Sequence, residues 1–225
     1  YEEKLAGQEG KKLVEVDSYG RWYRDLETRE AVPGNNLVLT LDTDLQRATE
    51  EALKDQIDYI KSLKDPSANP TSGAVVIEDA RTGEILALTS YPDFDLNVFS
   101  GGIKTQDWKA LVSDPALPLM NWTMQTFEPG STFKMVTGTA GLAEGKIGPY
   151  ETISCSGKYW LPPYPKCWLP GGHGASNVVR ALEVSCDVYF YEVGRRVGAD
   201  TLAKYSRMYG FGQETGIDLP GEMSG

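Results

Sequence analysis

Phe127-Glu128-Pro129-Gly130-Ser131-Thr132-Phe133-Lys134-Met135-Val136-Thr137 joins a tight turn to an apolar helix, and the rest of the chain is read outward from it. Pro129-Gly130 sets a turn by fixing one φ and freeing the next. Ser131 then falls at a helix start, with Lys134 three residues on. Positions i and i+3 share a helix face, so the Lys134 amine is expected beside the Ser131 hydroxyl. A serine hydroxyl is a poor nucleophile without an adjacent base. A lysine serves as that base where its surroundings favour the neutral amine. The helix start also offers backbone N–H donors to a developing oxyanion. S-x-x-K by itself is equally a serine N-cap followed by a surface lysine. Here the rigid Glu128-Pro129-Gly130 approach and the apolar Met135, Val136, Ala140, Leu142 and Ala143 predict a buried helix behind a functional turn.

A second motif, Ser185-Cys186-Asp187, lies within an apolar-periodic run read as one helix from Asn177 to Val197. S-x-x-K followed by S-x-N or its variants marks serine β-lactamases and penicillin-binding proteins. With these two motifs and Gly172-His173-Gly174, the chain resembles the class B penicillin-binding proteins, most closely the penicillin-binding protein 2 branch that cross-links peptidoglycan during elongation. The middle motif here is S-x-D, whereas the division-specific branch usually has S-x-N. The tail, Phe211 to Glu222, is similar to the family's loop after the S-x-D helix, and the likeness runs over the whole chain.

The resemblance implies an α+β fold, that of the penicilloyl serine transferases, with helices around a mostly antiparallel sheet. It implies a peptidoglycan D,D-transpeptidase working through an acyl-serine intermediate. Ser131 would attack the penultimate D-Ala carbonyl of a stem peptide, Lys134 would take the proton, and Ser185 would help return it to the leaving D-Ala. Asp187 would stand where Asn stands in S-x-N, accepting a hydrogen bond from Lys134 or the substrate amide; it could also hold the lysine charged. Stem peptides, β-lactams and a membrane glycosyltransferase are the implied partners. The implied location is the extracytoplasmic face of the bacterial inner membrane, with an anchoring helix outside this sequence. No K-T-G follows Ser185. In the resembled family that motif lies on a strand that would fall past residue 225, so this stretch alone is expected to be acylated slowly by penicillin.

Composition agrees with this without establishing it. Lys and Arg number 22 against 32 Asp and Glu, a net charge of −10 over 225 residues. Such a balance argues against a nucleic-acid partner, which needs a basic surface. No apolar run of transmembrane length is present. Residues 1–36 are polar and turn-rich, with a strand-like Leu13–Asp17, and are read as the end of a non-catalytic pedestal or as a hairpin decorating the main domain. Residues 37–225 are read as the first portion of the transpeptidase domain. There, Asn36–Leu41 is expected as a strand and Asp42-Thr43 as a helix cap. Asp65–Thr71 is read as a polar linker. Gly73–Asp79 and Glu84–Ser90 are expected as hairpin strands whose apolar runs suggest burial on both faces.

All three cysteines and the only histidine fall between residues 155 and 186. Cys155, Cys167, His173 and Cys186 make a Cys3His set suited to structural zinc, although the spacings match no standard finger. The intervening Gly157–Gly174 stretch is proline-rich, with little apolar periodicity, and needs a staple. A Cys155–Cys167 disulfide with Cys186 free is the rival staple. The odd cysteine count favours metal. The resembled branch is similar in having a zinc site between these two motifs. Tyr159, Trp160, Tyr164 and Trp168 are expected to pack around the staple rather than line a groove, and Tyr189, Phe190 and Tyr191 to be core. A β-lactam-sensing module, or a non-catalytic domain that activates a glycosyltransferase, are the other readings of the chain.

Overall fold

The computed structural model describes residues 1–66 and 68–225; Ser67, within the expected 65–71 linker, lies outside the described residues. The chain forms two compact units, Tyr1–Leu119 and Met120–Gly225, divided at a different point from the compositional boundary at 36/37.

In the first unit a short helix α1 (Glu2–Leu5) precedes an antiparallel hairpin, β1 (Lys11–Val16) with β2 (Trp22–Arg29). The Asp17 carboxylate shapes the turn by accepting the N–H groups of Tyr19 at 2.9 Å and Arg21 at 3.0 Å. Helix α2 (Thr43–Ser62) begins as its sequence requires. Asp42 Oδ1 accepts the N–H groups of Asp44 at 3.0 Å and Leu45 at 2.9 Å, satisfying donors that the helix leaves free. It packs on the hairpin of β3 (Gly73–Glu78) and β4 (Ile85–Tyr91), burying Ile57 and Thr49 of the helix and Ala87 and Thr89 of β4. A final helix, α3 (Thr105–Ser113), follows.

Two expectations fail here. The β3–β4 sheet has two strands among the described residues, and Val76 stays half-exposed, so the apolar runs are not covered on both faces. Residues 36–41 form no strand. Instead, separate groups occupy the outer edge of β4. Thr40 Oγ1 donates to the Ile85 carbonyl (2.6 Å) and the Asp42 N–H to Leu86 (2.9 Å). The Gln46 amide closes on Leu88, accepting its N–H at 2.8 Å and donating to its carbonyl at 3.1 Å. A helix side chain thus supplies the pairing that an added strand would have supplied.

The second unit carries the turn around Ser131. A 3-10 turn, Gly130–Phe133, runs into α4 (Lys134–Ala143). The strands β5 (Ile153–Cys155) and β6 (Gly174–Ser176) pair antiparallel and bracket the loop between them. Helices α5 (Val178–Glu183), α6 (Asp187–Val197) and α7 (Ala199–Met208) complete it. α4 packs on α6 and α7 around Val136, Ala140, Tyr189, Val193 and Val197. A Cβ at Gly141 would lie 2.7 Å from Val193 Cγ1, so the close approach of α4 and α6 requires glycine there. Met135 and Leu142 are exposed, because only one stripe of α4 faces this core.

The expected single helix from Asn177 to Val197 is two helices. α5 ends in a Schellman turn: the Ser185 N–H bonds the Leu182 carbonyl at 3.1 Å and the Cys186 N–H bonds Ala181 at 2.8 Å. Ser185 takes the left-handed position of that turn, with φ +51°. Apolar periodicity continues through the break because both helices present their stripes to one core, which is why the pattern alone reads as continuous. No helix among the described residues is long and apolar enough to cross a membrane.

Candidate active site

The site is assembled where the Ser131 turn meets the break between α5 and α6. Lys134, the first residue of α4, points its side chain into that break. Its Nζ donates to the Ser185 carbonyl at 2.8 Å, to Ser185 Oγ at 2.9 Å and to Asp187 Oδ1 at 2.6 Å. Three donations use the three N–H bonds of an ammonium. The Phe190 ring lies beneath, 5.9 Å from Nζ to its centroid. The Lys134 side chain is 12% exposed and that of Asp187 24%, so the ion pair is largely shielded from water.

Ser131 lies in the 3-10 turn, exposed, one residue after Gly130, whose φ of +55° favours a residue without a Cβ. Ser185 Oγ donates to Ser131 Oγ at 3.0 Å. The two motifs, 54 residues apart, therefore form one chain of hydrogen bonds, Lys134 to Ser185 to Ser131. This corrects the expectation that Ser131 and Lys134 pair directly. Ser131 sits in a 3-10 turn rather than in the α-helix, and Lys134 turns toward the stronger acceptors of the α5–α6 break. Asp187 is the first residue of α6, where a carboxylate is favoured by the helix dipole. Its second oxygen accepts the Trp168 N–H at 3.0 Å.

Beside this site, the ligand atoms of Cys155, Cys167, His173 and Cys186 all lie within 4.8 Å of one another. The cysteines are free and buried. His173 Nδ1 is 3.5 Å from Cys167 Sγ and 3.8 Å from Cys155 Sγ. Atoms bound to one tetrahedral zinc at about 2.0–2.3 Å are separated by roughly 3.5–3.8 Å, so this donor set fits the ion. Burial opposes ionisation of the Cys155 thiol, but hydrogen bonds from the His173 and Gly157 backbone outweigh it and hold it down to about 7. Burial pushes the Cys186 thiol up to about 12. Gly157 and Gly172 let the loop close tightly: a Cβ on either would fall 2.0 Å from the Pro170 carbonyl oxygen or 2.1 Å from that of Cys155.

Residues 73–225 match the family described as penicillin binding protein transpeptidase domain, and residues 1–39 match the penicillin-binding protein dimerisation domain. The chain belongs to the penicillin-binding protein transpeptidase family. It is 39% identical, over its whole length, to the peptidoglycan D,D-transpeptidase MrdA of Escherichia coli K12, of which it covers 34%. It is 32% identical to the stage V sporulation protein D of Bacillus subtilis, again over all of this chain and 33% of the relative. The chain thus spans about a third of the length of the curated relatives it matches. Among solved structures it is similar to a chain of a peptidoglycan synthase complex, with TM-score 0.82 and 36% identity over all of this chain and 40% of that one. It is also similar to Helicobacter pylori PBP2 in complex with MreC, with TM-score 0.76 and 32% identity over 97% of this chain and 38% of that one. Pseudomonas aeruginosa PBP2 in complex with WCK 5153 is a third, with TM-score 0.74 and 32% identity over 87% and 42%.

As a family member, the chain holds two structural groups that its motifs do not announce. Glu192 is buried on α6, accepting from the Tyr159 phenol at 2.5 Å, Arg195 at 2.8 Å and Arg196 at 2.8 Å. Arg195 chiefly, with Tyr159 and Arg196, overcomes burial and holds the Glu192 carboxyl down to about 2. This network ties the 157–174 loop to α6. Of the loop aromatics only Tyr159 is buried; Trp160 and Tyr164 are exposed, and Trp168, also exposed, lays its ring against His173 of the staple. Tyr189 and Phe190 are core, whereas Tyr191 is partly exposed and packs against Tyr159. Phe211, from the tail, packs edge-on against Phe133 of the Ser131 turn, with centroids 5.6 Å apart.

Proposed function

We propose that the complete protein is a peptidoglycan D,D-transpeptidase, with Ser131 as nucleophile and Lys134, Ser185 and Asp187 as its proton-handling and orienting partners. The observation that carries this reading is the unbroken run Ser131–Ser185–Lys134–Asp187, with links of 3.0, 2.9 and 2.6 Å. In the resting arrangement the protons point outward from Lys134. Acylation needs that direction reversed: once the amine has given up a proton, Ser131 donates to Ser185 Oγ and Ser185 to Lys134. Ser131 Oγ then bonds to the penultimate D-Ala carbonyl carbon of a stem peptide. As the C–N bond breaks, the proton passes from Lys134 through Ser185 Oγ to the nitrogen of the departing D-Ala. An amine of a neighbouring stem peptide next attacks the ester; its proton passes through Ser185 to Ser131 Oγ as the ester C–O bond breaks, leaving the cross-link. A β-lactam takes the first step and stops at the ester.

The Cys3His cluster is read as a structural zinc site. Bound zinc would offset most of the thiolate charge and join the loop ligands Cys155, Cys167 and His173 to Cys186, the residue between Ser185 and Asp187. The complete protein is placed, on this reading, at the extracytoplasmic face of the membrane, anchored by a helix. There it contributes to cell shape beside a membrane glycosyltransferase, in line with the relatives solved in a peptidoglycan synthase complex and with MreC. The test is labelling of the complete protein with a fluorescent penicillin. A stoichiometric adduct located on Ser131 by mass spectrometry, and lost in Ser131→Ala, supports the reading. An unlabelled native protein, or an adduct elsewhere, refutes it.

A further inference from the structure

Trp168 is exposed over 61% of its surface, yet it is tied down at three points. Its indole Nε1 donates to the Val184 carbonyl at 3.0 Å. Its backbone N–H donates to Asp187 Oδ2, also at 3.0 Å. Its ring leans on the His173 imidazole with centroids 5.2 Å apart. A tryptophan that only filled space would bury its rings; this one directs its donors to Val184, just before Ser185, and to Asp187, two residues after it.

The value of those bonds follows from the backbone around Ser185. Two peptide units meet at that residue, and their relative rotation sets where Oγ points. All four of their polar groups are held. The Ser185 and Cys186 N–H groups bond back to Leu182 and Ala181 within the turn. The Ser185 carbonyl is held by Lys134 and the Val184 carbonyl by Trp168. Lys134 is the group whose hydrogen bonds must rearrange during acyl transfer. Among the described residues, Trp168 is then the restraint on these peptide groups from outside the turn that does not depend on Lys134. It also has the correct anchorage for the task, being the neighbour of Cys167 and in ring contact with His173.

We infer that Trp168 is a positioning residue for acyl transfer, its indole N–H holding the Val184 peptide so that Ser185 keeps its left-handed conformation and its bridge to Ser131. The inference rests on the transpeptidase reading of Ser131 and Ser185. It is tested in the complete protein by Trp168→Phe, and by benzothienylalanine at position 168, which keeps the indole shape without the N–H. Both are expected to slow β-lactam acylation of Ser131 roughly five- to tenfold, the size of one neutral hydrogen bond. Pre-acylation binding, thermal midpoint and zinc content should be unchanged. 7-Azatryptophan, which retains the donor, should restore the rate. Amide hydrogen exchange at Ser185 and Cys186 should speed up in the two donorless variants whether or not the protein is acylated. Unchanged acylation, unchanged exchange, or a rate loss matched by loss of stability or zinc would each overturn the role. Failure of the native protein to label Ser131 would instead remove the transpeptidase reading, and that result is distinct from every outcome above.

Discussion

The Lys134 ammonium lies 2.6 Å from the Asp187 carboxylate, closer than to either Ser185 oxygen, so the S-x-x-K lysine is held by the second motif rather than by its own serine. Asp187 bridges two donors, Lys134 on one oxygen and the Trp168 N–H on the other.

That double role separates two substitutions. Asp187→Asn keeps one acceptor for Lys134 but presents an amide donor toward Trp168. Asp187→Ala removes both acceptors. Acylation of Ser131 is expected to fall about tenfold or less in Asn and roughly 10- to 100-fold in Ala, the range for a charged hydrogen bond. Equal rates in the two variants, read by β-lactam labelling kinetics, would show that the bridge is not used.

Ser185 carries its hydroxyl on a strained backbone. A left-handed conformation costs a residue with a Cβ about 1–2 kcal/mol. Ser185→Gly is therefore expected to be more stable than Ser185→Ala by about 1 kcal/mol, seen as a higher denaturation midpoint. Both variants lose the bridge between Ser131 and Lys134, so acylation should drop roughly 10²- to 10⁴-fold in each. An active Ser185→Ala variant would sink the relay.

Elemental analysis of protein purified without chelator should find one zinc per chain. Stripping the metal should lower the thermal midpoint and open the 157–174 loop to protease, as should Cys186→Ser. Metal-free protein with unaltered stability, or a Cys155–Cys167 disulfide by mass spectrometry, would discard the zinc site.

Glu192 is held down to about 2, so it stabilises the fold above its unfolded value near 4.3 and loses that contribution as pH falls toward 2. Glu192→Gln should cost on the order of 2–3 kcal/mol at neutral pH. The thermal midpoints of native protein and variant should converge between about pH 4.5 and 2. Parallel curves throughout that window would mean that the charge is not what stabilises the network.

Much of the fold follows from local chemistry. The Asp42 cap, the 79–84 turn and the Pro129-Gly130 turn act over a few residues, and each forms where its residue types place it. The Cys3His cluster was legible because one window holds every thiol and the sole imidazole. Residues 36–41 were misread because a strand is defined by its partner, and pairing energy is not a property of the segment itself. The break at Ser185 was hidden because a left-handed residue leaves the apolar periodicity intact. Trp168 reads from the sequence only as one of the loop aromatics, because its two hydrogen bonds go to residues 16 and 19 positions away.

The sequence by itself determined which groups are available: a serine in a turn, a lysine three residues on, and a second serine and aspartate far downstream. Only the tertiary structure decided who meets whom. Lys134 turns from Ser131 to the α5–α6 break because packing of α4 on α6 puts a carboxylate, a hydroxyl and an upturned carbonyl within its reach. Electrostatics in that sheltered space outweighs helical adjacency.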